Sequence, residues 1–448
     1  MSRRIKHIIA ELEDQYLMDN DSKRPWIIGF SGGKDSTVLL QLVWIALTNI
    51  PPELRTRKVY VVCNDTLVEN PIITDYVTIV LIQIQKAAVE QGLPIEVKKT
   101  IPRLEDTFWV NIIGRGYPVP NNVFRWCTDK MKIKPTSRFI YDQVAENGEA
   151  IVLLGTRSAE SAARAKSIKK HEIRGKRLTK HPNHQNTYVY SPIRDLMTEE
   201  VWYIIRTMPT LWGMDNSKLI QIYSDAIADD YECPTMVTDK NHSSCGQSRF
   251  GCWTCTVVKE DKSMAAMVIK GYPWLKPLLE LRSKMVDDRN VSANRMPTRR
   301  NGQLAITDDG HHQGNYTPKY RADLLKEVLI AQKKVQEVKP HLELITNQEL
   351  IAIQVIWHRD LLFEYSVSKI YNNIYDKKFV MKKNEEKIEK EISLLKEVCT
   401  EQVSDFDLIQ ELLTMQKNKA LLNRKRGLKD DMERVIEKYL KKESENVH

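Results

Sequence analysis

Short apolar runs alternate with longer segments of helical periodicity over the first half of this chain. Most of the runs lead into polar residues, which is typical of buried strands that end in turns. The segments between them, such as residues 37–44 and about 71–92, carry apolar residues at helical spacing. Strands that alternate with helices predict an α/β fold with a doubly wound, mostly parallel sheet. The predicted strands are residues 26–28, 58–66, 95–99 and 151–157.

Helical patterns also describe both ends of the chain. Residues 1 to about 22 predict an amphipathic helix, and after residue 317 the chain is dense in charge and largely helical. The apolar face of the first helix consists of Ile5, Ile8, Ile9, Leu12 and Tyr16. We therefore predict three regions. They are an α/β domain at 1–227, a cysteine-rich segment with a polar substrate loop at 228–316, and a helical, basic region at 317–448.

Composition narrows the class of protein. The 448 residues, 42% of them hydrophobic, suffice for two or three domains with a real core. The absence of an 18-residue apolar run and of an apolar signal segment predicts a cytoplasmic protein with no membrane partner. Seven cysteines favour metal or redox use over disulfides. The net charge of +9 suits an anionic partner such as DNA. Residues 417–442, with ten Lys or Arg, predict a charged surface helix or a contact with DNA or protein.

The strongest chemical signal is the stretch Gly29-Phe30-Ser31-Gly32-Gly33-Lys34-Asp35-Ser36. It stands between a predicted strand and a predicted helix, where free backbone N–H groups and the helix dipole favour an anion. Its glycines let the backbone approach an oxyanion, and its serines and lysine add hydroxyl donors and a positive charge. A Walker A loop is excluded, because Ile28 stands at the first glycine position and Asp35 follows the lysine.

This stretch resembles the SGGKDS loop of the ATP pyrophosphatase (PP-loop) family, which holds the pyrophosphate end of ATP while an acceptor is adenylylated. The resemblance implies an adenine nucleotide alpha-hydrolase type of fold. It also implies that Lys34 and Mg²⁺ stabilise the leaving pyrophosphate, and that Asp35 positions the metal ion or caps the helix. Asp65, at the end of the second strand, is expected at the same edge of the sheet. The residues expected to bind ATP are Ser31, Gly32, Gly33, Lys34, Asp35, Ser36, Asp65, Gly155 and Arg157.

A second motif, Gly155-Thr156-Arg157-Ser158-Ala159-Glu160-Ser161, follows the fourth predicted strand. A guanidinium in this position can hold a phosphate or sulfate through two hydrogen bonds, with Glu160 orienting it. The alternative is a helix start capped by Ser158. The segment resembles the G-x-R-x-x-E-S motif of the phosphoadenylylsulfate (PAPS) reductase branch of the PP-loop family. In the sulfur-transfer reaction that the resemblances imply, Arg157 is expected to stabilise charge on the reacting phosphate.

The segment from 158 to 187 is strongly basic and polar. It predicts a mobile loop or lid that contacts phosphates, or alternatively a merely solvated loop. Its basic residues are Arg164, Lys166, Lys169, Lys170, Arg174, Lys176, Arg177 and Lys180. Beyond it, Thr198 is a predicted helix N-cap, with Glu199 and Glu200 in the first turn.

A cysteine cluster is the second strong signal. Cys245, Cys252 and Cys255 have the spacing C-x6-C-x2-C, and a C-x2-C pair on a turn can place two thiolates on one metal centre. Structural zinc and an iron–sulfur cluster both fit this spacing. Sulfur-transferring members of the PP-loop family often carry a [4Fe–4S] cluster, so the resemblance implies that cofactor. The fourth ligand is Cys127, whose R-W-C-T stretch resembles the reductase branch, or Cys233, which is nearer in sequence; Cys127 is preferred.

These motifs, and above all the stretch 248–258 around R-F-G-C-W-T-C, resemble the DndC family of bacterial DNA phosphorothioation systems over roughly residues 1–290. The resemblance implies a sulfurtransferase that replaces a non-bridging oxygen of a DNA phosphate by sulfur. It also implies DNA, a cysteine desulfurase as sulfur donor, and other Dnd-system proteins as partners. The alternatives are a PAPS or APS reductase, a tRNA thiolase with the same loop and cluster, and a non-enzymatic DNA-binding adaptor.

Overall fold

The structure, a computed structural model, describes residues 3–18, 24–171, 176–226, 251–362 and 364–376, with a few single positions beyond. In this part of the chain the predicted strands form one sheet with two further short strands, which confirms the α/β fold. The strands are β1 (Trp26–Gly29), β2 (Val59–Asn64), β3 (Ile95–Thr100), β4 (Ala150–Leu153), β5 (Thr179–Lys180) and β6 (Thr187–Tyr190).

The sheet has the strand order β3-β2-β1-β4-β6-β5 and is parallel except at its edge, where β5 pairs antiparallel with β6. Trp26 of β1 aligns with Val59 of β2 and with Ile151 of β4, so these strands run side by side in the same direction. The chain moves outward from β1 to β3 and then crosses to β4 on the other side. The switch point of the topology therefore lies between β1 and β4, where open α/β sheets bind ligands.

Helices surround the sheet because β1, β2 and β4 are buried and apolar nearly throughout. The first helix buries the apolar face predicted for it. The third helix begins where the Asn70 side chain accepts the Ile72 N–H, with Pro71 in the first turn. The helices are α1 (Arg3–Leu17), α2 (Lys34–Asn49), α3 (Pro71–Glu90), α4 (Lys134–Asn147), α5 (Ala162–His171), α6 (Thr198–Thr207), α7 (Ser217–Asp225) and α8 (Lys262–Ile269).

Helix α3 is, among the described residues, the one segment long and apolar enough to cross a membrane by length and composition. Half of its apolar window is buried inside the protein. Its buried residues include Ile73, Val77 and Leu81, which also line a cavity beside the sheet. This burial is typical of a core helix that covers a parallel sheet.

Two local predictions are corrected by the structure. The segment 158–187 is not simply a loop, because it contains helix α5 and strand β5; residues 172–175 lie outside the described part. Helix α6 begins one residue earlier than predicted, with Met197 as its N-cap and Thr198 as its first helical residue. The Glu200 carboxylate accepts the N–H of the N-cap residue Met197 at 2.8 Å, which is the reciprocal bond of a capping box.

The chain divides into two compact units, one of Met1–Arg103 with Phe124–Leu279 and one of Leu104–Val123 with Glu280–His448. The three regions predicted at 1–227, 228–316 and 317–448 stay a prediction, because their first boundary falls in residues that the structure does not describe. The helices after α8 are α9 (Lys276–Asp288), which spans the boundary at 279, α10 (Pro318–Gln336), α11 (Asn347–Arg359) and α12 (Val367–Tyr375).

The second unit is held together around residues 109–114. The indole N–H groups of Trp109 and Trp357 donate to the carbonyls of Leu344 and Ile113, at 2.6 and 2.8 Å. The buried Arg321 of α10 donates to the carbonyls of Ile113 and Gly114. These bonds give a buried guanidinium and two buried indoles the partners that their burial requires.

Candidate nucleotide and cysteine site

The anion loop, residues 31–36, joins the end of β1 to the first turn of α2. Gly32 has a φ of +74°, which residues with a side chain rarely adopt, and a Cβ atom there would clash with Cγ2 of Val77. A Cβ atom on Gly155 would lie 3.0 Å from the carbonyl of Asp35, which is tighter than ordinary contact. The close approach of these segments therefore depends on glycine at both positions.

Hydroxyl groups close the anion loop on itself. The Oγ atoms of Ser31 and Ser36 lie 3.2 Å apart, and the Ser31 N–H donates to Ser36 Oγ at 3.3 Å. Ser36 Oγ donates to the Gly33 carbonyl at 3.0 Å. The two serines thus fix the loop at the N-terminus of α2, where the backbone N–H groups concentrate positive potential.

Tyr223 of α7 is a loop contact that sequence reasoning missed. Its hydroxyl accepts the Lys34 backbone N–H at 3.2 Å, and Lys34 Nζ lies 5.5 Å from the centre of its ring. Burial raises the pKa of Tyr223, so the hydroxyl stays protonated at neutral pH. Tyr223 lies on the buried face of α7 with Leu219 and Ile222, a pattern that predicts a core residue and gives no sign of the loop contact.

Arg157 is connected to the anion loop through Asp35. Its Nε donates to Asp35 Oδ1 at 2.6 Å, while Asp35 Oδ2 lies 3.2 Å from Lys34 Nζ. Both oxygens of Asp35 are therefore engaged by cations, which fits an anchor of the helix start better than a ligand of Mg²⁺. Gly155, Arg157 and the loop thus come together, as the motifs predicted.

The structure places the Arg157 guanidinium differently from the phosphate clamp we expected. Arg157 is only 1% exposed, and its Nη1 donates to the Leu196 carbonyl at 3.1 Å. A side chain with these partners acts on the loop through Asp35 and is a positioning residue. Glu160 was expected to orient the Arg157 guanidinium. Its carboxylate instead accepts the backbone N–H of Arg157, at 3.2 Å.

A cavity of about 280 Å³ lies beside the anion loop, between the sheet and α3. Ser31 contributes to its wall, as do Asp65, Glu69 and Lys132. Asp65 accepts the Leu67 N–H at 2.8 Å and pairs with Lys99 at 2.7 Å, so the sheet edge keeps this carboxylate oriented. Much of the remaining wall is apolar, which suits a planar base: Ile27, Phe30, Val62, Val77, Leu81, Val152 and Leu154.

The cysteine site, Cys127, Cys252 and Cys255, is assembled from two distant segments of the chain. Residues 251–253 pair with the segment after β2 through an antiparallel bridge between Cys252 and Glu69. Cys252 Sγ lies 3.3 Å from Thr66 Oγ1 and 3.7 Å from Glu69 Oε1. The Cys255 N–H donates to the Cys252 carbonyl at 3.1 Å, which forms the tight C-x2-C turn.

Lys132 links Cys127 to the other two cysteines. The pKa of Lys132 is raised, first by the electrostatic influence of Cys252 and further by Glu69, Cys127 and Cys255. Its Nζ lies 3.8 Å from Glu69 Oε1. Cys127, which is 125 residues away from Cys252 along the chain, therefore lies in the same region as Cys252 and Cys255.

Burial keeps the thiols of Cys252 and Cys127 protonated. It raises the pKa of Cys252 to about 12 and also raises that of Cys127. A bound metal ion would reverse this preference, because coordination removes the proton from a thiol. Within the described residues, no group of three His, Cys, Asp or Glu side chains is arranged to hold a metal ion. The predicted ligand Cys245 and the alternative Cys233 lie outside the described residues.

A mostly parallel α/β sheet with a glycine- and serine-built anion loop at its switch point is the architecture of an α/β domain that can hold an anionic ligand at the carboxyl ends of its strands. The family model of the phosphoadenosine phosphosulfate reductase domain matches residues 25–258, just over half of the chain. The chain therefore belongs to this family of PP-loop enzymes.

Individual relatives are distant. An uncharacterized protein of Methanocaldococcus jannaschii is 28% identical over 174 residues, which is 39% of this chain and 28% of that protein. The chain thus spans well under a third of that relative. A phosphoadenylyl-sulfate reductase from Candida auris is 14% identical with a TM-score of 0.26, over 46% of this chain and 86% of that one. The U34-tRNA thiolase NcsA from Methanococcus maripaludis, solved with its [4Fe-4S] cluster, is 14% identical with a TM-score of 0.25. The match covers 55% of this chain and 90% of the thiolase.

Proposed function

We propose that this protein is an ATP-dependent sulfurtransferase of the DndC type, which replaces a non-bridging oxygen of a DNA phosphate by sulfur. One observation carries the proposal: a single cavity has in its wall both Ser31 of the anion loop and Glu69, which contacts Cys252 of the cysteine site. An enzyme that activates a phosphate with ATP and then delivers sulfur needs these two sites side by side.

ATP is the first substrate in this proposal. Its base occupies the apolar part of the cavity, and its β- and γ-phosphates lie over residues 31–36. The Lys34 N–H and Nζ then turn from Tyr223 and Asp35 towards the phosphates, while Arg157 holds Asp35 in place. Mg²⁺ bound with the nucleotide supplies further neutralisation of the leaving pyrophosphate.

The chemistry proceeds in two displacements. An oxygen of the DNA phosphate attacks the α-phosphorus of ATP, and the bond to the β-phosphate breaks, releasing pyrophosphate. Sulfur at the oxidation level of hydrosulfide then attacks the DNA phosphorus and expels AMP with the former phosphate oxygen. The displacement itself transfers no electrons, and the proton of hydrosulfide is lost to solvent. Lys34 stabilises the charge that develops in the first step, as a preorganised cation does.

The cysteine site supports the second displacement. Cys127, Cys252 and Cys255, completed by Cys245, are the thiolates that would hold a [4Fe–4S] cluster, and such a cluster binds or relays sulfur when present. A cysteine desulfurase is the proposed sulfur source. It delivers sulfur as a persulfide, so a thiol reductant supplies the two electrons that release this sulfur as hydrosulfide and is itself oxidised to a disulfide. Other Dnd-system proteins are the proposed partners. The alternative ligand Cys233 remains open, since it too lies outside the described residues.

The test is release of labelled pyrophosphate from γ-labelled ATP, followed by mass spectrometry of DNA digested to dinucleotides. We expect DNA-stimulated pyrophosphate release that falls by about 10²-fold or more in Lys34→Ala, since one preorganised donor to developing charge is worth that much. A matched control is Lys58→Ala, which removes an exposed lysine just before β2, at the opposite edge of the sheet.

Each outcome separates the candidate functions. Phosphorothioate linkages in the DNA support the proposal. Release of sulfite from adenylyl sulfate without DNA modification would identify a reductase, and thiolated bases in tRNA would identify a thiolase. Undiminished pyrophosphate release in Lys34→Ala would show that the anion loop does not take part in ATP cleavage. Normal DNA phosphorothioation by that variant would favour a non-enzymatic adaptor.

A further inference from the structure

A second, larger cavity of about 710 Å³ lies in the first unit, and the proposed chemistry does not use it. Its wall comes from α1, α5, the β5–β6 hairpin and residues 191–196. The wall includes five Lys or Arg but two carboxylates, Glu11 and Asp195. We name this cavity the basic cleft. Its cationic residues are Arg4, Lys176, Arg177, Lys180 and Arg194.

The arginines of the basic cleft are engaged within the protein, whereas its lysines are not. Arg177 pairs with Glu11 at 3.5 Å and with Asp14 at 2.5 Å, which ties the hairpin to α1. Arg4 pairs with Glu200 at 3.0 Å. Lys176 and Lys180 are exposed, and their ammonium groups have no ion-pair or hydrogen-bond partner among the described residues. These two lysines are the charge available to a ligand.

Tyr190 gives independent support for a ligand in the basic cleft. It is 4% exposed and forms part of the wall, yet its hydroxyl has no hydrogen-bond partner in the described part of the protein. An unpartnered buried hydroxyl costs about 1–3 kcal/mol, so it is rarely retained without a use. Burial raises the pKa of Tyr190, so the group remains an O–H donor suited to an anionic oxygen.

Helix α5 carries further lysines outside the cleft. Ile168 of this helix lines the cleft, whereas Lys166 and Lys170 lie two positions from it on either side and therefore on the opposite face of the helix. These lysines add positive charge to this region, but the cleft itself presents Lys176 and Lys180.

We infer that the basic cleft binds the sugar–phosphate backbone of the DNA substrate, with Lys176 and Lys180 on phosphates and the Tyr190 hydroxyl donating to a phosphate oxygen. The inference rests on the proposed function for its choice of DNA. The cleft shares Leu154 with the nucleotide cavity, and its wall reaches Thr156 and Ser191, which follow β4 and β6. DNA held there approaches the switch-point edge at which the anion loop lies.

The first test measures binding of a fluorescein-labelled DNA duplex of about 20 base pairs to the full chain by anisotropy, from about 50 to 200 mM salt. We expect the double variant Lys176→Gln/Lys180→Gln to bind about 10- to 30-fold more weakly, with the slope of log K against log salt reduced by about 2. The matched control is Lys58→Gln/Lys86→Gln, which makes the same charge change at the start of β2 and near the end of α3.

A second variant separates ligand contact from folding. Tyr190→Phe removes the unpartnered hydroxyl, so we expect unchanged or higher thermal stability together with a roughly 3- to 10-fold loss of DNA affinity. Equal affinity of wild type, Tyr190→Phe and the double lysine variant would overturn the inference. Displacement of the duplex by equimolar adenosine 3′,5′-bisphosphate would overturn it in favour of a mononucleotide site. Tighter binding of an RNA duplex of the same length would overturn the choice of DNA.

Failure of the inference can be told apart from failure of the proposed function. Suppose that the wild-type protein never forms phosphorothioate but the cleft variants still lose DNA binding. The assignment of the cleft as a DNA site is then supported, and the proposed sulfur-transfer function is wrong. Suppose instead that the double lysine variant modifies DNA at the full rate even at low DNA concentration. The proposed sulfur-transfer function is then supported, and the assignment of the cleft as a DNA site is overturned.

Discussion

The anion loop and the cysteine site belong to the same unit but are built in opposite ways. The loop consists of contiguous residues whose shape follows from Gly32, from two serines and from the start of α2. The cysteine site joins Cys127 to Cys252 and Cys255 across more than a hundred residues. The comparison shows that an anion cradle can be specified by a short local sequence, whereas a thiol cluster depends on the register between distant segments.

The largest expected effect tests whether the cysteine site holds a metal. We expect anaerobically purified wild-type protein to carry iron, or zinc if the site is structural, and Cys252→Ala to lose nearly all of it, since a missing thiolate opens the coordination shell. Metal analysis and the absorption spectrum measure this. Cys63→Ala is the matched control, because Cys63 is a buried strand thiol whose pKa is raised to about 12.

The same experiment decides the fourth ligand. Loss of metal in Cys127→Ala favours Cys127, and unchanged metal content in that variant favours Cys233. A wild-type protein that holds neither iron nor zinc would contradict the metal-centre prediction altogether.

A smaller expected effect tests whether the conformation of the anion loop depends on its own residues. Gly32→Ala places a Cβ atom at positive φ and against Val77, so we expect about 2–4 kcal/mol lower stability and at least tenfold weaker ATP binding. Thermal unfolding and calorimetric titration with ATP measure the two quantities. In Gly32→Ala/Val77→Ala the clash is relieved but the backbone strain remains, so only part of the stability lost at Gly32 should return.

Full recovery in that double variant would mean that packing against α3, and not backbone conformation, requires the glycine. No loss in Gly32→Ala itself would mean that the loop shape does not depend on this residue at all.

The smallest effect concerns Tyr223. Tyr223→Phe removes the acceptor of the Lys34 N–H in the ligand-free protein, so we expect ATP to bind up to about fivefold more tightly. Equilibrium ATP titration measures this, with Tyr203→Phe on the exposed side of α6 as the control. Weaker ATP binding would show that the Tyr223 hydroxyl contacts the nucleotide directly.

Much of the fold follows from local pattern. The buried runs became β1 to β4, and the apolar face of α1 is buried as its spacing indicated, because strand and helix periodicity report burial directly. Boundaries were less exact, as at Thr198, where a glutamate from the first turn supplies part of the capping. The short strands β5 and β6 gave no periodic signal, since two to four residues are too few to show one.

The sequence by itself determined the alternation of strands and helices, the glycines of the anion loop and the position of that loop at the end of a buried strand. These features rest on steric limits and hydrogen bonds between near neighbours in the chain. Only the tertiary structure decided that Arg157 donates to Asp35, that Tyr223 accepts the Lys34 N–H and that Glu69 contacts Cys252. It also decided that the Tyr190 hydroxyl, in the wall of the basic cleft, has no hydrogen-bond partner among the described residues. Those contacts join segments far apart in sequence, and burial and distance between such segments arise only when the whole sheet is assembled.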